Sequence, residues 1–235
     1  MAGKAAQKAP ERVRLTRDRI VAAALTQADR AGFSSVTMRS VAAELGVKPM
    51  ALYHHIESKS RMVEEMVEAL IAETSLDQPT ASWRDWVTLA FNELRRVAVD
   101  HPGAVEALAA APATGPTARQ ASLLGLERFL ADGFSPSAAR QAIQSVSVTA
   151  LGHAIELTRP PARADLDDAL EWLRDSHPSM AAVTLEEIEA EDPWDFTIAI
   201  MIAGLESLAQ QSSATKTKSK TTNNITKINR KTHTV

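Results

Sequence analysis

Residues 36–59, VTMRSVAAELGVKPMALYHHIESK, place a single glycine, Gly46, between two short helical patterns. Met38, Val41, Ala42 and Leu45 recur at helical spacing, Thr37 stands where an N-cap would, and Gly46 follows the last apolar residue as a C′ glycine does. The spacing predicts a helix of about two turns that stops at Gly46. The fixed φ of proline suits the first turn of a helix, so Pro49 predicts a second helix running to His55, with Leu52 and Ile56 facing inward. Two short helices joined by a tight glycine turn make a helix-turn-helix. A chain committed to that unit must supply a third helix to cover its apolar side.

That helix is predicted just upstream. Thr16 is positioned to cap it, Ile20, Ala24 and Ala28 form its inward face, Gly32 stops it and Phe33 closes the corner. Helical periods recur along the rest of the chain with no strand-like alternation of useful length, which predicts an all-α fold. Ser58 caps a helix holding Met62, Val63, Met66, Val67, Leu70 and Ile71, placed to link two domains. Ser82 caps the next; Gly133 ends one that begins near GPTARQ, and Ser135 starts a long one that runs to Pro160-Pro161. Residues 165–175 predict a short helix, residues 176–192 an acidic, proline-containing connection, and residues 193–209 a helix apolar on most of its faces. The expected organisation is a basic flexible arm over 1–14, a helix-turn-helix DNA-binding domain over 15–61, a helical effector-binding and dimerisation domain over 62–211, and a polar, disordered basic tail over 212–235.

Charge supports that division. Residues 1–61 carry 11 Lys/Arg against 5 Asp/Glu, residues 62–211 carry 9 against 24, and residues 212–235 carry 6 against none. A polyanion is therefore drawn to the N-terminal part and repelled by the middle, although the whole chain is net −3. The sequence has no cysteine, so a disulfide framework, a thiolate metal site and a cysteine nucleophile are excluded. With no apolar run of about 18 residues and no apolar N-terminal segment, the expectation is a soluble cytoplasmic protein without membrane contact.

In a helix-turn-helix the second helix enters the major groove with its N-terminal residues deepest. Lys48, Pro49, Met50 and Ala51 then face the bases, and Tyr53, His54 and His55 lie toward the backbone. Pro49, Met50 and Ala51 offer apolar contact, for instance with thymine methyls; Lys48 pairs with guanine or phosphate; Arg39 reaches a base edge, with guanine O6/N7 the natural partner for its fork. Thr37 and Lys59 sit at helix N-termini, where backbone N–H groups favour a phosphate. His54 and His55 project about 100° apart on a helix and make poor joint metal ligands, and no metal or cofactor site is expected.

The same stretch resembles the TetR family of transcriptional regulators. The threonine and arginine opening one helix, the alanine and L-G-V at the turn, the L-Y-x-H of the recognition helix and the lysine opening the next all follow the family's order. DHPGA, GPTARQ, ADGFS and ALGHAIE are similar to the C-terminal domain of its tetracycline-repressor branch. The resemblance implies DNA contacts at Arg39, Lys48, Pro49, Ala51, Tyr53, His55 and Lys59. It also implies a homodimer joined by a four-helix bundle of the last two long helices, an inverted-repeat operator, and an effector pocket in each C-terminal domain, with repression the commoner outcome. Lys48 stands where many members have a capping serine. The histidines that hold drug and magnesium in the tetracycline repressors are missing, so neither tetracycline nor its metal is carried over.

The candidate lining of the pocket is Trp86, Phe91, Phe129 and Trp172, with His153 and Glu156 as polar anchors, suited to a small apolar or amphipathic effector. Two other classes compete. An enzyme would need a catalytic motif, and none of GxGxxG, P-loop, HExxH or GxSxG is present. An architectural DNA-binding protein would need no cavity at all.

Overall fold

The computed structural model describes residues 14–158, 163–177 and 193–210, and within these the chain is helical without a strand. The arm's Lys4, Lys8 and Arg12, most of the acidic connection and the Lys-rich tail lie outside the described residues. In chain order the helices are α1 (Arg17–Ala31), α2 (Met38–Glu44), α3 (Pro49–Tyr53), α4 (Lys59–Ala72), α5 (Trp83–Asp100), α6 (Ala107–Ala110), α7 (Pro116–Ala131), α8 (Pro136–Leu157) and α9 (Arg163–Ser176), followed by α10 over 193–210.

Their ends are set by local chemistry. The hydroxyls of Thr16, Thr37, Ser58, Ser82 and Ser135 each accept a hydrogen bond from the backbone N–H three residues on, satisfying a donor that the first helical turn leaves open. After α2, Gly46 takes a left-handed φ of 66°. Its N–H donates to the Ala43 carbonyl and the Val47 N–H to that of Ala42, the paired bonds of a Schellman stop. α3 is two residues shorter than the spacing predicts, because the N–H groups of His55 and Ile56 both converge on the Leu52 carbonyl and close the helix early.

Two apolar clusters organise the packing. The first joins Ile20, Ala24 and Ala28 of α1, Val41 and Ala42 of α2, Leu52 of α3 and the whole inner face of α4, from Met62 to Ile71. Val97, Ala104, Ala107 and Ala118, which come from α5 onward, belong to the same cluster. The second gathers α5, α7, α8 and α10 around Trp83, Phe91, Phe129 and Trp194. Trp83 stacks on Phe129 with centroids 5.5 Å apart, and Phe134 meets both rings edge-on. Helix α4 thus belongs to the N-terminal core while packing on α6 and α7 of the larger unit.

Polar contacts fasten the two units at the same seam. His101 caps the C-terminus of α5. Its Nδ1 lies 2.8 Å from Asp29 Oδ2 on α1, and its Nε2 lies 2.9 Å from Glu73 Oε2 at the end of α4. Asp29 Oδ1 also accepts the N–H groups of Gly103 and Ala104. Gly103 is pressed against the Ala28 carbonyl, so closely that a Cβ there would overlap it. On α4, Glu68 Oε1 accepts the Thr117 N–H at 2.6 Å, which puts a carboxylate at the N-terminus of α7.

Candidate nucleic-acid interface and ligand cavity

The helix-turn-helix holds its polar residues outward because Met38, Val41, Ala42, Leu52 and Ile56 are consumed by the core. Thr37, Arg39, Lys48, Pro49, Met50, Tyr53, His54 and Lys59 are all exposed, while Ala51 and His55 are half-buried. Met50 is 67% exposed and Tyr53 45%, so α3 turns apolar and aromatic surface outward beside its polar residues. Arg39 is the second residue of α2, and Thr37 caps that helix reciprocally with Ser40. Lys48 occupies the N-cap of α3 without a side-chain cap bond, so the first turn of α3 presents backbone N–H groups that no side chain covers. Lys59 opens α4, its ammonium 5.8 Å from the centre of the Phe33 ring.

A brace that the sequence patterns did not single out fixes this face. The Arg17 guanidinium donates from Nε and Nη2 to the His55 carbonyl at 3.3 and 3.1 Å, and its Nη1 lies 3.5 Å from Glu65 Oε1. One side chain on α1 therefore ties the end of α3 to α4. Its sequence signal was weak, because a lone arginine early in a helix carries no period.

In the larger unit a cavity of about 740 Å³ opens between α4, α5, α7, α8 and the segment containing α6. Of the six residues named from the sequence, Trp86 lines it. The other five candidates do not. Phe91 and Phe129 are fully buried in the aromatic cluster, since large inward-facing rings fill a core rather than leave it open. The His153 Nε2 pairs with Thr197 Oγ1 at 3.0 Å and its ring sits 5.7 Å from Trp194, so it joins α8 to α10. Glu156 is exposed on α8, and Trp172, 62% exposed, packs edge-on against His177.

The actual wall is made of small and aliphatic residues. Its buried members are Ile71, Leu76, Trp86, Ala90, Leu94, Ala118, Ala121 and Ala150. Its exposed members include Ala109, Ala110, Pro112, Ala113, Thr114, Ser122, Gln144, Ser147 and Val148. The sequence signal that would have found it is the run ALAAAPAT over 107–114, where successive short side chains leave volume unfilled. Ile71 and Ala118 line the cavity and also belong to the N-terminal core cluster.

Residues 20–66 match the family model described as bacterial regulatory proteins, tetR family. An HTH-type transcriptional regulator of Saccharopolyspora erythraea is 33% identical over 139 residues, which cover 59% of each chain. The chain thus spans less than two thirds of that relative. The tetracycline repressor protein class G of Vibrio anguillarum is 26% identical over 202 residues, 83% of this chain and 95% of that one. Among solved structures, apo ActR from Streptomyces coelicolor superposes with a TM-score of 0.74 at 22% identity, over 85% of this chain and 99% of that chain, which shows the shared fold.

Proposed function

We propose that this chain, whose residues 20–66 match the model of bacterial regulatory proteins of the tetR family, is a cytoplasmic transcriptional regulator. It acts as a homodimer, grips an inverted-repeat operator and is released from it by a small apolar or amphipathic effector. The observation that carries this reading is the dual membership of Ile71 and Ala118: the same side chains line the cavity and pack into the core that orients α2 and α3. A ligand that moves either residue acts on the recognition helices without touching DNA.

Two further features support it. The exposed set around Arg39, Lys48, Met50 and Tyr53 combines a fork for a base edge, a cation for phosphate and apolar groups for thymine methyls. On α10, Trp194, Ile198 and Leu205 face the core, whereas Phe196, Ile200 and Ala203 form an exposed stripe at helical spacing. Phe196 is 68% and Ile200 57% exposed, and a two-fold bundle with α8 and α10 of a second copy covers them.

The test is selection of bound duplexes from a random-sequence library with the purified protein. Enrichment of an inverted repeat with half-site centres roughly 34–36 Å apart is the expected outcome. Uniform, salt-sensitive binding with no enriched sequence would instead favour an architectural role and overturn the proposal.

A further inference from the structure

The cavity has a polarity of its own, and this inference rests on reading it as the effector site. Among the described residues, no Asp, Glu, Lys, Arg or His lines it. Its buried wall, represented by Ile71, Leu94, Trp86 and Ala121, offers apolar surface. Its uncharged polar side chains Thr114, Ser122, Gln144 and Ser147 are on the exposed side, and the one polar atom of the buried aromatic wall, Trp86 Nε1, donates to no group among the described residues. The anchors that could have met a charge, His153 and Glu156, lie elsewhere on α8.

We propose that this site selects a neutral amphipathic molecule, bound with its apolar body against Trp86 and its hydroxyl or carbonyl end at the rim formed by Thr114, Ser122, Gln144 and Ser147. An ionised group pushed toward the buried wall loses its hydration and meets no countercharge, a penalty that a neutral ligand escapes. The rim groups donate and accept hydrogen bonds, which fixes the orientation of the polar end without demanding a charge. A metal chelate is disfavoured for the same reason, since no carboxylate or imidazole among the described lining residues balances the charge of a cation.

The experiment compares two fluorescent probes with one skeleton, N-phenyl-1-naphthylamine and 8-anilinonaphthalene-1-sulfonate, titrated into the full chain without DNA. The neutral probe is expected to bind once per chain and at least about tenfold more tightly than the sulfonate. Gln144→Lys, at an exposed position of the rim, is expected to strengthen sulfonate binding and so to narrow the preference for the neutral probe. Ala121→Phe, which fills the buried wall, should weaken the neutral probe. Equal affinities, preference for the sulfonate, binding of neither probe, or indifference to both substitutions overturns the proposal. Because these titrations contain no DNA, they judge the chemistry of the cavity alone. Failure of a bound probe to weaken a DNA complex, measured separately, would count against the effector reading instead.

Discussion

His101 is the residue whose removal should reveal how the two units are fastened. Burial alone lowers the affinity of its ring for a proton, but the hydrogen bonds and charges of Asp29 and Glu73 outweigh that effect and raise its pKa above the usual 6.5. As the imidazolium it donates from both ring nitrogens, one to each carboxylate. As the neutral ring it donates only once, and its other nitrogen turns a lone pair toward an acid. The Asp29 arm is the stronger, because the side chains are only 20% and 24% exposed, whereas Glu73 is 43% exposed and its arm is screened by solvent. A hydrogen bond to a charged group contributes about 1.5–3 kcal/mol, so about 2 kcal/mol is assigned to the clamp. A raised native pKa means this contribution is fully present below pH 6.5, the unfolded value, and is lost as pH rises through the native value. His101→Ala should therefore lower Tm by about 4–8 °C at pH 6, with a clearly smaller difference at pH 9. Differential scanning calorimetry of both proteins at the two pH values supplies the comparison. A Tm difference equal at pH 6 and pH 9 would show that ring packing, not the charged clamp, carries the effect.

Arg39→Ala should relax specificity at one position per half-site and cost about 1–3 kcal/mol, whereas Lys59→Ala should weaken all duplexes alike and flatten the salt dependence; fluorescence anisotropy on specific and random DNA separates the two. Gly46→Ala forces a Cβ into the left-handed region at φ 66°, so it should destabilise the protein by roughly 1–2 kcal/mol, visible in thermal denaturation. Glu68→Ala leaves the Thr117 N–H without its acceptor at the start of α7 and should cost about 0.5–2 kcal/mol in urea unfolding.

The parts of this molecule that were legible in its sequence are those determined within a few residues. The caps at Thr16, Thr37, Ser58, Ser82 and Ser135 and the stops at Gly32, Gly46 and Gly133 could be read because a hydroxyl three residues from an open N–H, or a glycine at positive φ, needs no distant partner. The outward set on α2 and α3 followed from the inward period of Val41, Leu52 and Ile56. The cavity was not legible from its aromatic residues. Its shape is what remains after Phe91 and Phe129 have packed into the core, and its walls are alanines whose contribution is missing volume rather than a contact. The Asp29–His101–Glu73 clamp was equally hidden, because it joins positions 72 and 28 residues apart that only the packing of α1, α4 and α5 brings together.

The central claim, that occupancy of the cavity weakens the grip on DNA, is tested most directly by titrating a selected inverted-repeat duplex with the protein in the presence and absence of a ligand that raises its Tm. A coupling of about 1–3 kcal/mol carried through Ile71 and α4 predicts that the ligand weakens the complex roughly 5–150-fold. Unchanged affinity at saturating ligand would contradict the account.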